Sequence, residues 1–467
     1  MSEFAVSSPD VPASAHRLVT GRRHGPSVSR ALRPALAVLA AATLLVAVVT
    51  LVTAGGTTAT ADTRDGTATA VPDRIVLSPT TEPATSQAIT WRTAVSTLAG
   101  GAEVVPLSAP QAVAFVASTM STVEQLPGSR LVARHHTVTL TDLSPDTTYR
   151  YRVGGGSHWS AWSEFTTPPL DATTPWTFLY FGDAQLGLDA GWAQVADAAF
   201  TRHPEARASL HAGDLVNDGN DDAQWQAWFT AMAPYAASRT LLTVPGNHEL
   251  YGDAELERYR SQFTYPANGP AGFDERAWYT DLGGVRFVTL DGNVTGDEAA
   301  ADAQAAWLDD VLADNPMQWT VVSVHQPMFS AAKLRDNVDQ REAWLDILEE
   351  HDVDLVLQGH DHAYARGHVR EDGPVYVVTN AGDKYYDLDP PDRNNWTING
   401  AVRDAAADKI STYQSIRVEA DRLVYRSYVG VVGPNATPAG AQPGDELDAF
   451  SVVRDTDGTT RVVDERS

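Results

Sequence analysis

From Trp176 onward the chain alternates short apolar runs with amphipathic stretches of helical period. The runs 176–181, 208–212, 240–244, 285–290, 319–324 and 353–357 have the length and the aromatic or β-branched content of buried strands. Between them, residues 192–200, 222–232, 303–312 and 341–350 space their apolar side chains three and four apart and predict helices; in the second, Trp225, Trp228 and Phe229 share one face. Strands alternating with helices predict an α/β layered fold. Later runs at 375–379, 415–419 and 423–427, with 450–453 as a further one, predict strands that complete a second sheet.

Before Trp176 the pattern is different. Residues 72–168 contain short alternating runs at 74–77, 88–92, 137–140 and 148–153, with the turn Leu143-Ser-Pro-Asp-Thr and no periodic helix. They predict a small all-β sandwich. Residues 169–175 then form a linker, 176–455 the α/β domain and 456–467 a tail. Ahead of the sandwich, residues 35–54 are apolar and uncharged and follow Arg17, Arg22, Arg23, Arg30 and Arg33. Residues 1–54 therefore read as a basic region with an export signal or membrane anchor, since a span takes about 20 residues. The Gly/Thr/Ala stretch 55–71 reads as a flexible linker. An extracellular or cell-surface location follows as the expectation.

Two features of composition narrow the chemistry. The chain has no cysteine, so any metal is held by nitrogen and oxygen. Its net charge of −26 argues against a nucleic acid as a stable partner.

Five of the strand runs end in residues that can carry chemistry. These are Gly182-Asp183, Gly213-Asp214, Gly246-Asn247-His248-Glu249, His325, and Gly359-His360-Asp361-His362. Open α/β sheets place their sites beyond the carboxyl ends of strands. Either aspartate alone reads equally well as a helix cap, and either lone histidine as a core residue. Together they point to a centre of two metal ions. Imidazole and carboxylate donors suit Fe, Zn or Mn better than Ca or Mg. His135, His136, His203, His211, His351 and His368 lack such context and read as structural or surface residues.

The order of these motifs resembles that of the calcineurin-like metallophosphoesterases. The sandwich in front, which is similar to a fibronectin type III domain, and Gly359-His-Asp-His-Ala-Tyr-Ala-Arg366 resemble the purple acid phosphatase branch. The resemblance implies a four-layer α/β (α+β) arrangement, a β-sandwich flanked by helices, behind the small all-β domain. It implies Asp214 as the bridge between two metals, Asp183 and His362 on one, and Asn247, His325 and His360 on the other. His248 would face the phosphate as a proton donor, while the metals supply hydroxide. Tyr364 and Arg366 would orient the histidine loop, touch substrate or serve packing. Two positions depart from the pattern. Asn217 stands where purple enzymes carry an iron-binding tyrosine, and Gln185 where many other members carry a histidine. Either amide could complete the first metal, and no tyrosinate colour is expected.

The function implied is exported hydrolysis of phosphomonoesters. The alternatives are a phosphodiesterase acting on nucleotides or lipid head groups and, from another class, a cell-surface binding protein with an inactive metal core. Specificity is expected in the loops 252–275, 291–302 and 387–409.

Overall fold

A computed structural model describes residues 68–124, 132–456 and 458–466. The apolar run 35–54 and most of the linker 55–71 lie outside the described residues. Among the described residues no helix is long and apolar enough to cross a membrane.

Residues 73–166 build two antiparallel sheets. One contains Asp73–Ser78, Gln87–Ala94, Met120–Glu124 and Ala133–Leu140. The other contains Gly101–Pro106, Ala114–Ala117, Thr148–Gly155, His158–Trp159 and Ser163–Thr166. Alternate side chains, among them Ile89, Trp91, Val138, Tyr151 and Phe165, meet between the sheets as the core. The phenol oxygen of Tyr149 accepts the Ser144 N–H at 2.8 Å and pins the turn before its strand. Ala114–Ala117 is only four residues long and mostly exposed, and Met120–Glu124 is half-polar, so neither carries a readable alternation.

The second domain has two sheets with a common strand. In the first, Trp176–Phe181, Ala208–His211 and Thr240–Thr243 run parallel. In the second, Val285–Thr289, Trp319–Ser323, Leu355–Gln358 and Val375–Val378 run parallel, edged by Trp278–Leu282 and Ala363–His368. The long strand Val402–Val418 belongs to both. Its first part pairs with Ala363–His368 and its last part with Trp176–Phe181 and Arg422–Thr437. The changeover falls at a bulge between Asp408 and Ile410, where Lys409 takes φ 57°. The expectation that 375–379, 415–419 and 423–427 complete one second sheet is thus corrected. The first of these lies in the second sheet, and the other two extend the first.

Helices Gly191–Arg202 and Asp222–Ala236 cover the first sheet through Trp192, Trp225 and Trp228, all fully buried. Glu298–Ala313 and Val338–Glu350 cover the second through Leu308, Trp344 and Leu348. Each such side chain contributes on the order of 2 kcal/mol by leaving water. The helix at 298–313 starts earlier than its apolar spacing suggested because Asp297 caps it, accepting from the Ala299 and Ala300 N–H groups.

The sandwich is joined to the α/β domain by a strand pairing, Leu77 beside Thr240, and by buried charge. Asp222 Oδ1 lies 2.8 Å from Arg74 Nη2, and its Oδ2 lies 3.3 Å from Arg92 Nη1. Glu124 takes Arg258 Nε at 2.5 Å and His135 Nε2 at 2.7 Å. Burying these groups is tolerable only because each carboxylate has its cations in place.

Candidate metal centre

The five motif loops leave the carboxyl ends of parallel strands in both sheets and converge. Three positions here take left-handed backbone, Asp214 (φ 50°), His360 (φ 72°) and His362 (φ 48°), which turns each side chain sharply off its strand. Gly213, at φ 87°, has no room for a side chain: a Cβ there would stand 2.6 Å from His325 Nδ1 and 2.9 Å from Gly246 Cα.

Two groups of donor atoms form. Asp183, Asp214 and His362 make one, and Asp214, His325 and His360 the other; within each, the atoms lie within 4.8 Å of one another. Asp214 belongs to both. Asn247 Oδ1 joins the second group, 3.2 Å from His325 Nε2. Each imidazole is aimed by a partner on its other nitrogen or its loop. His325 Nδ1 donates to the Ala212 carbonyl at 2.7 Å, and His362 Nδ1 to Asn380 Oδ1 at 3.1 Å. The His360 N–H donates to Asp183 Oδ2 at 2.7 Å.

The electrostatics of the donor groups favour positive charge among them. Burial, with the neighbouring Asp214 carboxylate, pushes the Asp183 carboxyl up to about 8 against the pull of His325. Burial acts against the imidazolium of His325, but Asp214 and Asp183 outweigh it and raise His325 to about 9. Burial and then His325 push His360 down to about 2; burial and then Lys384 push His362 down to about 3. Asp183 Oδ1 is buried with no hydrogen-bond partner. A buried, lone-pair-bearing oxygen beside two neutral imidazoles is a donor set that fits a cation.

His248 stands at the mouth, with Nδ1 donating to the Asn217 carbonyl at 2.7 Å. That bond fixes the tautomer and leaves Nε2 facing Asp214 Oδ2 at 3.8 Å. The cavity above the donor groups, about 250 Å³, is lined by Asp214, Asn247, His248, His360 and His362 and also by Tyr251, Arg335, Lys384 and Tyr386.

The two departing positions both make contacts within the site. Gln185 Nε2 donates to Asp214 Oδ2 at 2.7 Å, and its Oε1 accepts from Lys384 Nζ at 2.7 Å. A carboxylate only accepts and an ammonium only donates, so the amide orientation is fixed and its oxygen is turned away from the first group. Asn217 supplies its main-chain carbonyl to His248. Tyr364 and Arg366 lie on the packing side. Both are buried and bind Asp448, through Tyr364 Oη at 2.7 Å and Arg366 Nε at 2.6 Å.

The sequence reading missed several contributors. Glu249, in a motif but given no role, is buried and accepts the N–H groups of Asp214 at 2.9 Å, Leu215 at 2.8 Å and Gly246 at 2.8 Å. It ties two ligand loops together. Lys384, Arg335 and Tyr386 come from loops without a motif; only the positive charge of the first two in an acidic chain could have marked them, and Tyr386 left no signal.

Comparison with known proteins agrees with this architecture. Residues 177–364 match the calcineurin-like phosphoesterase family, and residues 72–167 match the purple acid phosphatase N-terminal domain. The chain thus carries a calcineurin-like phosphoesterase domain behind a purple acid phosphatase N-terminal domain. It is similar to purple acid phosphatase 15 of Arabidopsis thaliana, 29% identical over an alignment of 289 residues that covers 53% of this chain and 53% of the relative. It is also similar to acid phosphatase type 7 of Homo sapiens, 27% identical over 286 residues, covering 52% of this chain and 63% of the relative. The chain spans about half the length of the curated relatives it matches first. Among solved structures, a purple acid phosphatase from yellow lupin (Lupinus luteus) seeds shares the fold, with a TM-score of 0.65 at 17% identity over 83% of this chain and 75% of that one. PhoD shares it with a TM-score of 0.59 at 14% identity over 85% and 93%.

Proposed function

We propose that this protein is a phosphomonoesterase that works with two metal ions of the Fe, Zn or Mn kind. The observation that carries this reading is the Asp214 carboxylate standing in both donor groups, since two like-charged cations need an anion between them. Asp183, Asp214 and His362 would hold one ion, and Asp214, Asn247, His325 and His360 the other. When bound, such a pair acidifies water and neutralises phosphate oxygens. The chain's own groups do the rest. His248, with Nδ1–H anchored on the Asn217 carbonyl, presents Nε2 to the cavity, and in its imidazolium form it passes the Nε2 proton to the leaving oxygen. Lys384 and Arg335 bring positive charge to the same cavity.

The test is hydrolysis of an aryl phosphate by the purified chain before and after chelation, with metal content measured alongside. Asp214→Asn is expected to lose metal and to lose activity by more than the ~10–100-fold typical of outer partners. Full turnover by the metal-free chain or by Asp214→Asn would reject the reading. Replacing His248 by Ala should leave metal content intact. It should slow alkyl phosphates, whose leaving oxygen needs a proton, by about 10²-fold or more, and aryl phosphates less. Equal slowing of both would remove His248 from the proton step.

A further inference from the structure

The two donor groups differ in what the chain supplies. Asp214, Asn247, His325 and His360 give the second group four side chains, whereas Asp183, Asp214 and His362 give the first group three. Gln185 is buried against Asp214, yet both ends of its amide are engaged. Its Nε2 donates to Asp214 Oδ2 and its Oε1 accepts from Lys384 Nζ, each at 2.7 Å.

The shared carboxylate is divided in the same sense. Asp214 Oδ1 lies 3.3 Å from His325 Nε2, toward the second group, while Oδ2 takes the Gln185 amide. Behind that amide stands the Lys384 ammonium, which among the described residues has no carboxylate within ion-pair distance. Lys384 also lies 5.5 Å from the centre of the Tyr386 ring, and that ring packs edge-on to the His362 imidazole with 4.9 Å between centres. Lys384 therefore flanks Asp214 and His362 through one neighbour of each. Arg335, the other cation of the cavity, is matched by buried Asp361 at 3.1 Å. A fixed positive charge beside a cation site repels the cation. A hydrogen bond accepted by a ligand oxygen also leaves it fewer lone pairs for a metal.

We propose that the two metal positions fill in order, the second group holding its ion tightly and the first exchanging its ion with the medium, and that Lys384, held in place by Gln185, sets the difference. This rests on the two-ion centre of the reading above. Lys384 and Gln185 are positioning residues here, since neither donates to a metal. Where metal is scarce the chain carries one ion, among Asp214, Asn247, His325 and His360, and it gains the other only where metal is plentiful.

The experiment titrates Mn(II) into the metal-stripped full chain. Calorimetry gives the affinities, and electron paramagnetic resonance tells an isolated ion from a coupled pair. Two steps whose Kd values differ by about tenfold or more are expected, the scale on which neighbours of ligands act. The first equivalent should give the spectrum of an isolated ion, with the coupled spectrum appearing only on the second. His325→Ala should abolish the tight step, and His362→Ala the weak step alone. Lys384→Gln should tighten the weak step about tenfold and leave the tight one within about threefold. Arg417→Gln, the same charge change on an exposed pair elsewhere, should shift neither. Equal affinities, a coupled spectrum from the first equivalent, or a weak step untouched by Lys384→Gln overturns ordered filling. A chain that fills in order but turns over no aryl phosphate when fully loaded would reject the phosphomonoesterase reading alone, because the titration reads metal and not reaction. A chain that binds no Mn(II) would overturn both.

Discussion

Among single residues, Glu249 has the greatest influence for a group that touches no donor cavity. Its carboxylate gathers N–H groups from the Asp214 and Gly246 loops, and those loops carry Asp214, Asn247 and His248. Burial pushes it up to about 7, with Asp214 adding like charge, so its N–H donors are what keep it in place. Glu249→Gln keeps the shape but turns an NH₂ toward backbone N–H groups. It should cost about 2–3 kcal/mol in denaturant unfolding and weaken metal binding about tenfold, measured by chelator competition. Asp183, Asp214, Asn247, His325, His360 and His362 stand out in the sequence as a set because each lies within a few residues of the end of an apolar run. Glu249 was legible only as a letter in a motif, since its work is done on main-chain groups that leave no pattern. Lys384 and Arg335 were not legible as site residues, because loops that approach in space share no spacing in sequence.

For elements, the parallel strands were legible and their boundaries good, because strands buried on both faces read as unbroken apolar runs. The two-sheet role of Val402–Val418 was hidden. Its first part, Val402 to Asp408, is only partly buried and rich in Ala and Asp, so it lacks the apolar signature of its second part. Lys409 at the bulge gave no cue of its own. The turns after the strands set the site geometry. Gly213→Ala is expected to push the His325 ring from its place, since the added carbon would meet Nδ1 at 2.6 Å. A positive φ adds about 1 kcal/mol of strain. The variant should fold with a lowered melting temperature and bind less than the full complement of metal by elemental analysis. A variant with unchanged metal content would show that the loop yields more easily than this packing suggests.

Across the whole molecule, the contact between sandwich and α/β domain is built on charge. Glu124 is buried, yet the His135 ring and Arg258 outweigh that burial and hold its carboxyl at about 2, below its ordinary 4.5. Its folded-state value is therefore depressed. The stability it adds is fully present above pH about 4.5 and is lost as pH falls toward about 2, a swing on the order of 3 kcal/mol. The advantage of the natural chain over Glu124→Gln should be largest above that window and fade through it, as followed by urea unfolding at stepped pH. An advantage constant across the window would mean that the carboxylate is not paired this way in solution. Neither Glu124 nor Arg258 could be matched from sequence, because 134 positions separate them.

The Asp222 pairing with Arg74 and Arg92 has a consequence for how this architecture can be taken apart. Arg74 and Arg92 belong to the front module and Asp222 begins a helix of the rear one, so cutting between them strands opposite charges on both halves. A chain trimmed to start at Trp176 would bare an acidic helix start and an unmatched Arg258 along the same seam. Grafting a foreign sandwich onto this α/β core, or lending this sandwich to another, should therefore fail unless the arginines and their acidic partners travel together.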